Sequence, residues 1–137
     1  MPALLAIAAL LGVALAAPSS LAAGQAPATS VRTIKCSLSD HEAVFYARMQ
    51  RLQHADRMAL RFTLLERAGD DAFEPVKAPG LGRWQRSRPG VAAFGYRQGV
   101  RGLLENAVYR VRVDFRWYGS DGDVIDELHR RSPVCRQ

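Results

Sequence analysis

Few side chains in this chain are suited to acid–base, nucleophilic or metal chemistry. There are three histidines (His41, His54, His129), two cysteines (Cys36, Cys135), and carboxylate clusters only at Asp70–Asp71 and around Asp121, Asp123 and Asp126. Each is read against what its chemistry requires. A nucleophile needs an adjacent base, and no Gly-x-Ser-x-Gly elbow or recognisably placed histidine supplies one. The histidines stand singly, and two thiols far apart have no metal-ligand spacing. Asp70–Asp71 and Asp121-Gly122-Asp123 lie among glycines, where turn chemistry explains them. The second also lacks the further oxygens and distal Glu of a calcium loop. No phosphate-cradling glycine loop is present. The expectation is a chain with no catalytic residues, no cofactor and no metal.

Arginine is what remains. Of the 19 basic residues, 17 are Arg and two are Lys, giving a net charge of +6 over 137 residues. Guanidinium forks grip carboxylate and phosphate bidentately, so the excess points to an anionic partner. A solvated face in an arginine-rich composition is the competing explanation.

The first 28 residues carry no charge, and residues 3–17 form an unbroken apolar run closed by Pro18. That length suits the apolar region of a secretory signal peptide and falls short of the roughly 20 residues a membrane-spanning helix needs. No Lys or Arg precedes the run. Small residues allow cleavage after Ala22 or after Ala28. Residues 1–28 are therefore read as signal peptide and flexible lead-in, and 29–137 as one domain. A secreted location, extracellular or in the cell envelope, follows, with no permanent membrane span and no nucleic-acid partner. In an oxidising compartment Cys36 and Cys135 are expected to form a disulfide.

The elements that must position these residues follow from alternation. Tyr109, Val111, Val113, Phe115 and Trp117 alternate with Arg110, Arg112, Asp114 and Arg116, and Met58, Leu60, Phe62 and Leu64 alternate with smaller or charged residues. Both read as half-buried strands. Residues 42–52 also alternate, although a helix is open to them on propensity. Further strands are expected at 31–35, at about 73–77 alone or with a second piece near 82–86, at 91–100 and at 124–135. Gly119-Ser120-Asp121-Gly122 marks a hairpin. Seven or so strands and no helix predict an all-β fold, a seven-stranded immunoglobulin-like sandwich. If successive strands alternate in direction, the first and last end at the same pole. That brings Cys36 and Cys135 within bridging reach.

The stretch Leu103-Leu104-Glu105-Asn106-Ala107-Val108-Tyr109-Arg110-Val111-Arg112-Val113 resembles the entry to the sixth strand of fibronectin type III and related immunoglobulin-like domains. In those domains a Tyr hydroxyl bonds back to upstream backbone, forming a tyrosine corner. The resemblance implies that role for Tyr109, with Leu104 or Leu103 as the corner leucine. It covers about 20 residues and otherwise rests on strand count. The chain departs from the pattern in having Phe45 and Tyr46, but no Trp, in its second strand. Its cysteines are also not the pair of antibody domains. The resemblance implies a fold and a habit of binding or spacing, and no catalytic residue.

On this layout Arg57, Arg61, Arg110, Arg112 and Arg116 point outward from neighbouring strands, with Arg131 able to join them. They are the candidate ligand surface of a secreted, non-enzymatic binding module for an anionic cell-wall polymer or an acidic extracellular protein. The alternative is an inhibitor of an extracellular hydrolase, acting through the Pro/Gly-rich stretch 77–89.

Overall fold

A computed structural model describes residues 27–137; the predicted signal segment therefore lies almost wholly outside the described residues. Nine strands and no helix make up the described chain. They are β1 (Thr29–Ser37), β2 (Glu42–Gln50), β3 (Arg57–Ala68), β4 (Glu74–Val76), β5 (Trp84–Arg86), β6 (Ala93–Arg101), β7 (Ala107–Tyr118), β8 (Val124–Arg131) and β9 (Cys135–Arg136). One antiparallel sheet has the order β1-β2-β6, and the second is built on β4-β3-β7-β8. The fold is all-β, as alternation requires. Residues 42–50 are strand, because burying every second residue from Ala43 to Met49 satisfies a sheet and not a helix.

The two sheets enclose one core. β3 contributes Met58, Leu60 and Phe62, β7 contributes Val113, Phe115 and Trp117, and β2 faces them with Phe45 and Met49. The indole N–H of Trp117 donates to the Gln50 carbonyl at 2.8 Å, a polar link between the sheets at the end of β2.

Both edges of the second sheet are interrupted strands. β5 pairs with Ala59–Arg61 and β4 with Leu64–Glu66, on the same edge of β3. Beyond them, β8 and β9 pair successively with the far edge of β7. The segment expected over 124–135, with Val124–Arg131 as its strand and Pro133 at the sheet edge, is β8 followed by β9. It breaks after Arg131 because Pro133 has no amide to donate. A serine caps each edge in the same way, at the outer end of β5 on one side and at the break between β8 and β9 on the other. Ser87 donates its N–H to the Met58 carbonyl and accepts the Met58 N–H on its hydroxyl. Ser132 does both for Val111. A side-chain oxygen thus stands in for a missing ladder carbonyl, and no buried amide of Met58 or Val111 is left unpaired.

The disulfide joins Cys36 at the end of β1 to Cys135 in β9, with Cα atoms 5.5 Å apart. It ties one sheet to the other across a sequence separation of 99 residues. Constraining so long a loop is worth up to about 4.7 kcal/mol on the chain-entropy account.

Candidate functional site

The pairing register decides which side chains share the outer face of the second sheet. In β3 and β7 the core takes one parity. The other parity, including Arg57, Arg61 and Arg67 of β3 and Arg110, Arg112, Asp114 and Arg116 of β7, faces away. β8 adds Arg131 opposite Arg112, His129 opposite Asp114, and Glu127 opposite Arg116. β9 adds Arg136 opposite Val108, and β5 adds Arg86 opposite Ala59. All five predicted surface arginines therefore lie on one face.

They do not form one uniform basic patch. Asp114 sits between two of them. Arg61 donates to its Oδ2 at 3.0 Å, and Arg112 to its Oδ1 at 2.9 Å through Nε and 2.8 Å through the terminal nitrogen. Arg116 donates to Glu127 at 3.1 Å, and Arg57 lies 3.8 Å from Asp56. The guanidinium groups of Arg61 and Arg116 also stand 4.7 and 4.5 Å from the Trp84 ring centre, and Arg86 stands 5.1 Å from that of Tyr118. Ala59 is fully buried although it belongs to the outward parity. This half of the face is a closed lattice of cations, carboxylates and rings. A shallow hollow of about 240 Å³ opens among Arg61, Arg112, Asp114, Arg116 and His129.

Toward the disulfide the pattern changes. Arg67 and Arg110 lie 4.7 and 4.0 Å from the Phe73 ring centre, and none of the salt bridges among the described residues involves Arg67, Arg110, Arg131 or Arg136. The Nε atoms of both Arg67 and Arg110 are buried without a hydrogen-bond partner. Burial, followed by the repulsion of Arg131 and Arg67, lowers the pKa of Arg110 from its ordinary value. Arg112 and Arg131, both cations, are directly cross-strand partners, an arrangement that costs stability unless something neutralises it.

Tyr109 is buried on the opposite side of β7. Its hydroxyl accepts the Leu104 N–H at 3.0 Å and donates to Glu66 at 2.6 Å. Burial, reinforced by Glu66, raises its pKa above the usual tyrosine value. The leucine assignment needs correction. Leu104 supplies only its amide and its side chain is 61% exposed, whereas Leu103 packs in the core. The left-handed backbone of Asn106 turns the chain between them and Tyr109.

The remaining candidates are structural. His54 occupies a left-handed position in the turn before β3, and His41 one in the turn before β2, with Nε2 3.8 Å from Glu105. Asp121 accepts the Asp123 N–H within the β7–β8 hairpin, and the Asp71 amide closes a turn on Ala68. The stretch 77–89 does not project as a free loop. Gly82 donates to the Phe62 carbonyl, Leu81 packs on the core, and Trp84–Arg86 are β5. Where it bows off β3 it covers an apolar hollow of about 460 Å³.

Sequence reasoning missed Trp84 and Phe73 as partners of the arginines, Asp114 as their shared counter-ion, and Arg67 and Arg136 as members of the face. Arg67 has the parity of Arg57 and Arg61 and was legible. Arg136 was not, because the break at Pro133 resets the alternation.

No protein-family profile matches the chain, and no curated protein matches it. Among solved structures it is similar to one described as "Putative ApaA Protein from Bordetella pertussis", with 15% identity, a TM-score of 0.44, and coverage of 81% of this chain and 91% of that one. That likeness is too distant to carry function to this chain. No helix of the described residues is long and apolar enough to cross a membrane. The disulfide is consistent with an oxidising compartment.

Proposed function

We propose that this chain is an exported, non-enzymatic binding module of fibronectin type III-like architecture, holding an anionic extracellular partner on the outer face of its larger sheet. Counting β4 with β5 and β8 with β9 as interrupted strands gives seven, in sheets of three and four, and Tyr109 bonded to the Leu104 amide supports the tyrosine-corner resemblance. The apolar, uncharged segment 1–28 and the bridge support export.

One observation carries the binding assignment. By register, Arg57, Arg61, Arg67, Arg86, Arg110, Arg112, Arg116, Arg131 and Arg136 share a face to which the strands contribute the carboxylates Asp114 and Glu127, with Asp56 beside Arg57 at its end. The experiment is chromatography of the disulfide-bonded chain on heparin and polygalacturonate resins, beside a basic globular protein of matched charge. Retention to a higher salt concentration than the control supports the reading. Co-elution with the control on both resins sinks it.

A further inference from the structure

The cations left without carboxylates lie in a definite order. Arg67 pairs with Val108, Leu65 with Arg110, and Arg112 with Arg131. In units of β7, Arg67, Arg110 and Arg131 therefore stand at positions 108, 110 and 112 on three successive strands. They form a diagonal across the sheet, with steps of roughly 7–8 Å between diagonal neighbours. Arg136, opposite Val108, flanks the same end. The diagonal holds like charges together. It has buried guanidinium nitrogens without partners, and it relies on Phe73, between Arg67 and Arg110, as its main internal compensation. A folded chain keeps such an arrangement at a cost, and bound oxyanions would relieve it.

Resting on the reading of this face as an anion-binding surface, we infer that the site is the Arg67–Arg110–Arg131 diagonal and that its ligand is an acidic polysaccharide, a linear chain presenting carboxylate or sulfate groups at intervals. The other half of the face is excluded because Asp114 and Glu127 already occupy its forks. The rings decide the polymer class. Guanidinium groups cover Trp84 and Phe73, and Leu65 beneath them is buried. The diagonal thus offers no free aromatic face for stacking nucleobases and no apolar socket for the anchor residues of a protein partner. It offers forks alone, which suits a polymer whose adhesive groups are oxyanions. Three forks along a line also favour a chain over a single ion, since the second and third contacts are intramolecular.

The test is titration of the full disulfide-bonded chain with heparin and polygalacturonate oligomers, alongside poly-Glu, polyphosphate and single-stranded DNA of equal charge. The variants are R110Q/R131Q and R61Q/R116Q, each checked for an intact bridge and cooperative melting. The expected result is saccharide binding weakened at least tenfold by R110Q/R131Q and less than threefold by R61Q/R116Q. The slope of log affinity against log salt should fall by about two in the first variant only. The reverse ranking overturns the diagonal while leaving the face as a binding surface. Tighter binding of poly-Glu, polyphosphate or DNA than of either saccharide overturns the ligand class. No binding to any polyanion removes both this site and the broader reading.

Discussion

The two halves of the outer face use one residue type to opposite ends. Around Trp84, arginine closes the surface. Asp114 engages Arg61 and Arg112, Glu127 engages Arg116, and the stacked stems bury Ala59. Around Phe73, arginine leaves it open: Arg67, Arg110 and Arg131 have no carboxylate partner among the described residues, and the Nε atoms of Arg67 and Arg110 are unpaired. The strained half has its bracing behind it. The disulfide is anchored one residue from Arg136, and Tyr109, the neighbour of Arg110, bonds Leu104 and Glu66 on the core side. Arginine content alone therefore says little about a basic surface. What matters is whether a carboxylate of the same parity stands two residues away or directly across.

Breaking that bracing should have the largest effect. Replacing Cys36 and Cys135 with Ser is expected to remove up to about 4.7 kcal/mol, read as a lower urea midpoint. It should also raise amide exchange in β9 and the start of β7 more than in β5. Uniform loosening of both halves would show that the bridge does not brace one in particular.

Erasing the contrast from the other side comes next. Asp114→Asn leaves Arg61 and Arg112 without their charged acceptor, at a cost of about 1.5–3 kcal/mol, typical of hydrogen bonds to charged groups. Because the carboxylate is only 13% exposed, little of that is screened. The variant should bind acidic polysaccharide more tightly than wild type, since the closed half becomes open. Weaker binding would mean that Asp114 arranges Arg112 for the ligand instead of occupying it.

The two serine plugs test whether the halves differ at their edges. Ser87→Ala and Ser132→Ala each strand a buried amide, of Met58 or Val111, and each should cost about 1–3 kcal/mol by chemical denaturation. Only Ser132→Ala should also weaken polyanion binding, because Ser132 follows Arg131 and holds the break before β9. Equal binding losses would contradict the division of the face.

Much of the scaffold was legible in the sequence. Period-two alternation located β2, β3 and β7 to within about two residues, and the paired parity of β3 and β7 put five arginines on one face. The disulfide followed from compartment and strand direction. What could not be read depended on register. Alternation gives a strand's faces but not which residue stands opposite which. Asp114 was visible as one of the outward residues of β7, while its role between Arg61 and Arg112 appears only once Arg61 is known to lie directly across. The short pieces β4, β5 and β9 carry too few residues for a periodic signal. Leu103 and Leu104 are chemically alike, so the choice between them rests on the backbone turn at Asn106.

Tyr109 ties the open half to the core, and its titration supplies a pH test. Its folded pKa lies above the unfolded value of about 10 because burial and Glu66 disfavour the phenolate. The folded state therefore holds the proton more tightly. The associated stability is complete below about pH 10 and declines as pH rises through the folded pKa. Tyr109→Phe should cost about 1 kcal/mol at neutral pH and should lessen the alkaline decline. An unchanged slope above pH 10 would place the alkaline sensitivity elsewhere.

The smallest expected effect discriminates most sharply between the halves. Arg110→Met keeps a long stem over Phe73 but removes a cation that is disfavoured by burial and by Arg131 and Arg67. The loss of a cation–π contact, about 0.5–1 kcal/mol at an accessible site, is offset by relief of that repulsion. The free energy of unfolding should therefore stay within about 0.5 kcal/mol of wild type. Arg61→Met loses two nitrogen contacts to Asp114 together with the stack on Trp84, and should be the more destabilising of the pair. If Arg110→Met is the costlier change, the diagonal serves stability after all, and the unpaired cations are no longer available as a surface held open for a ligand.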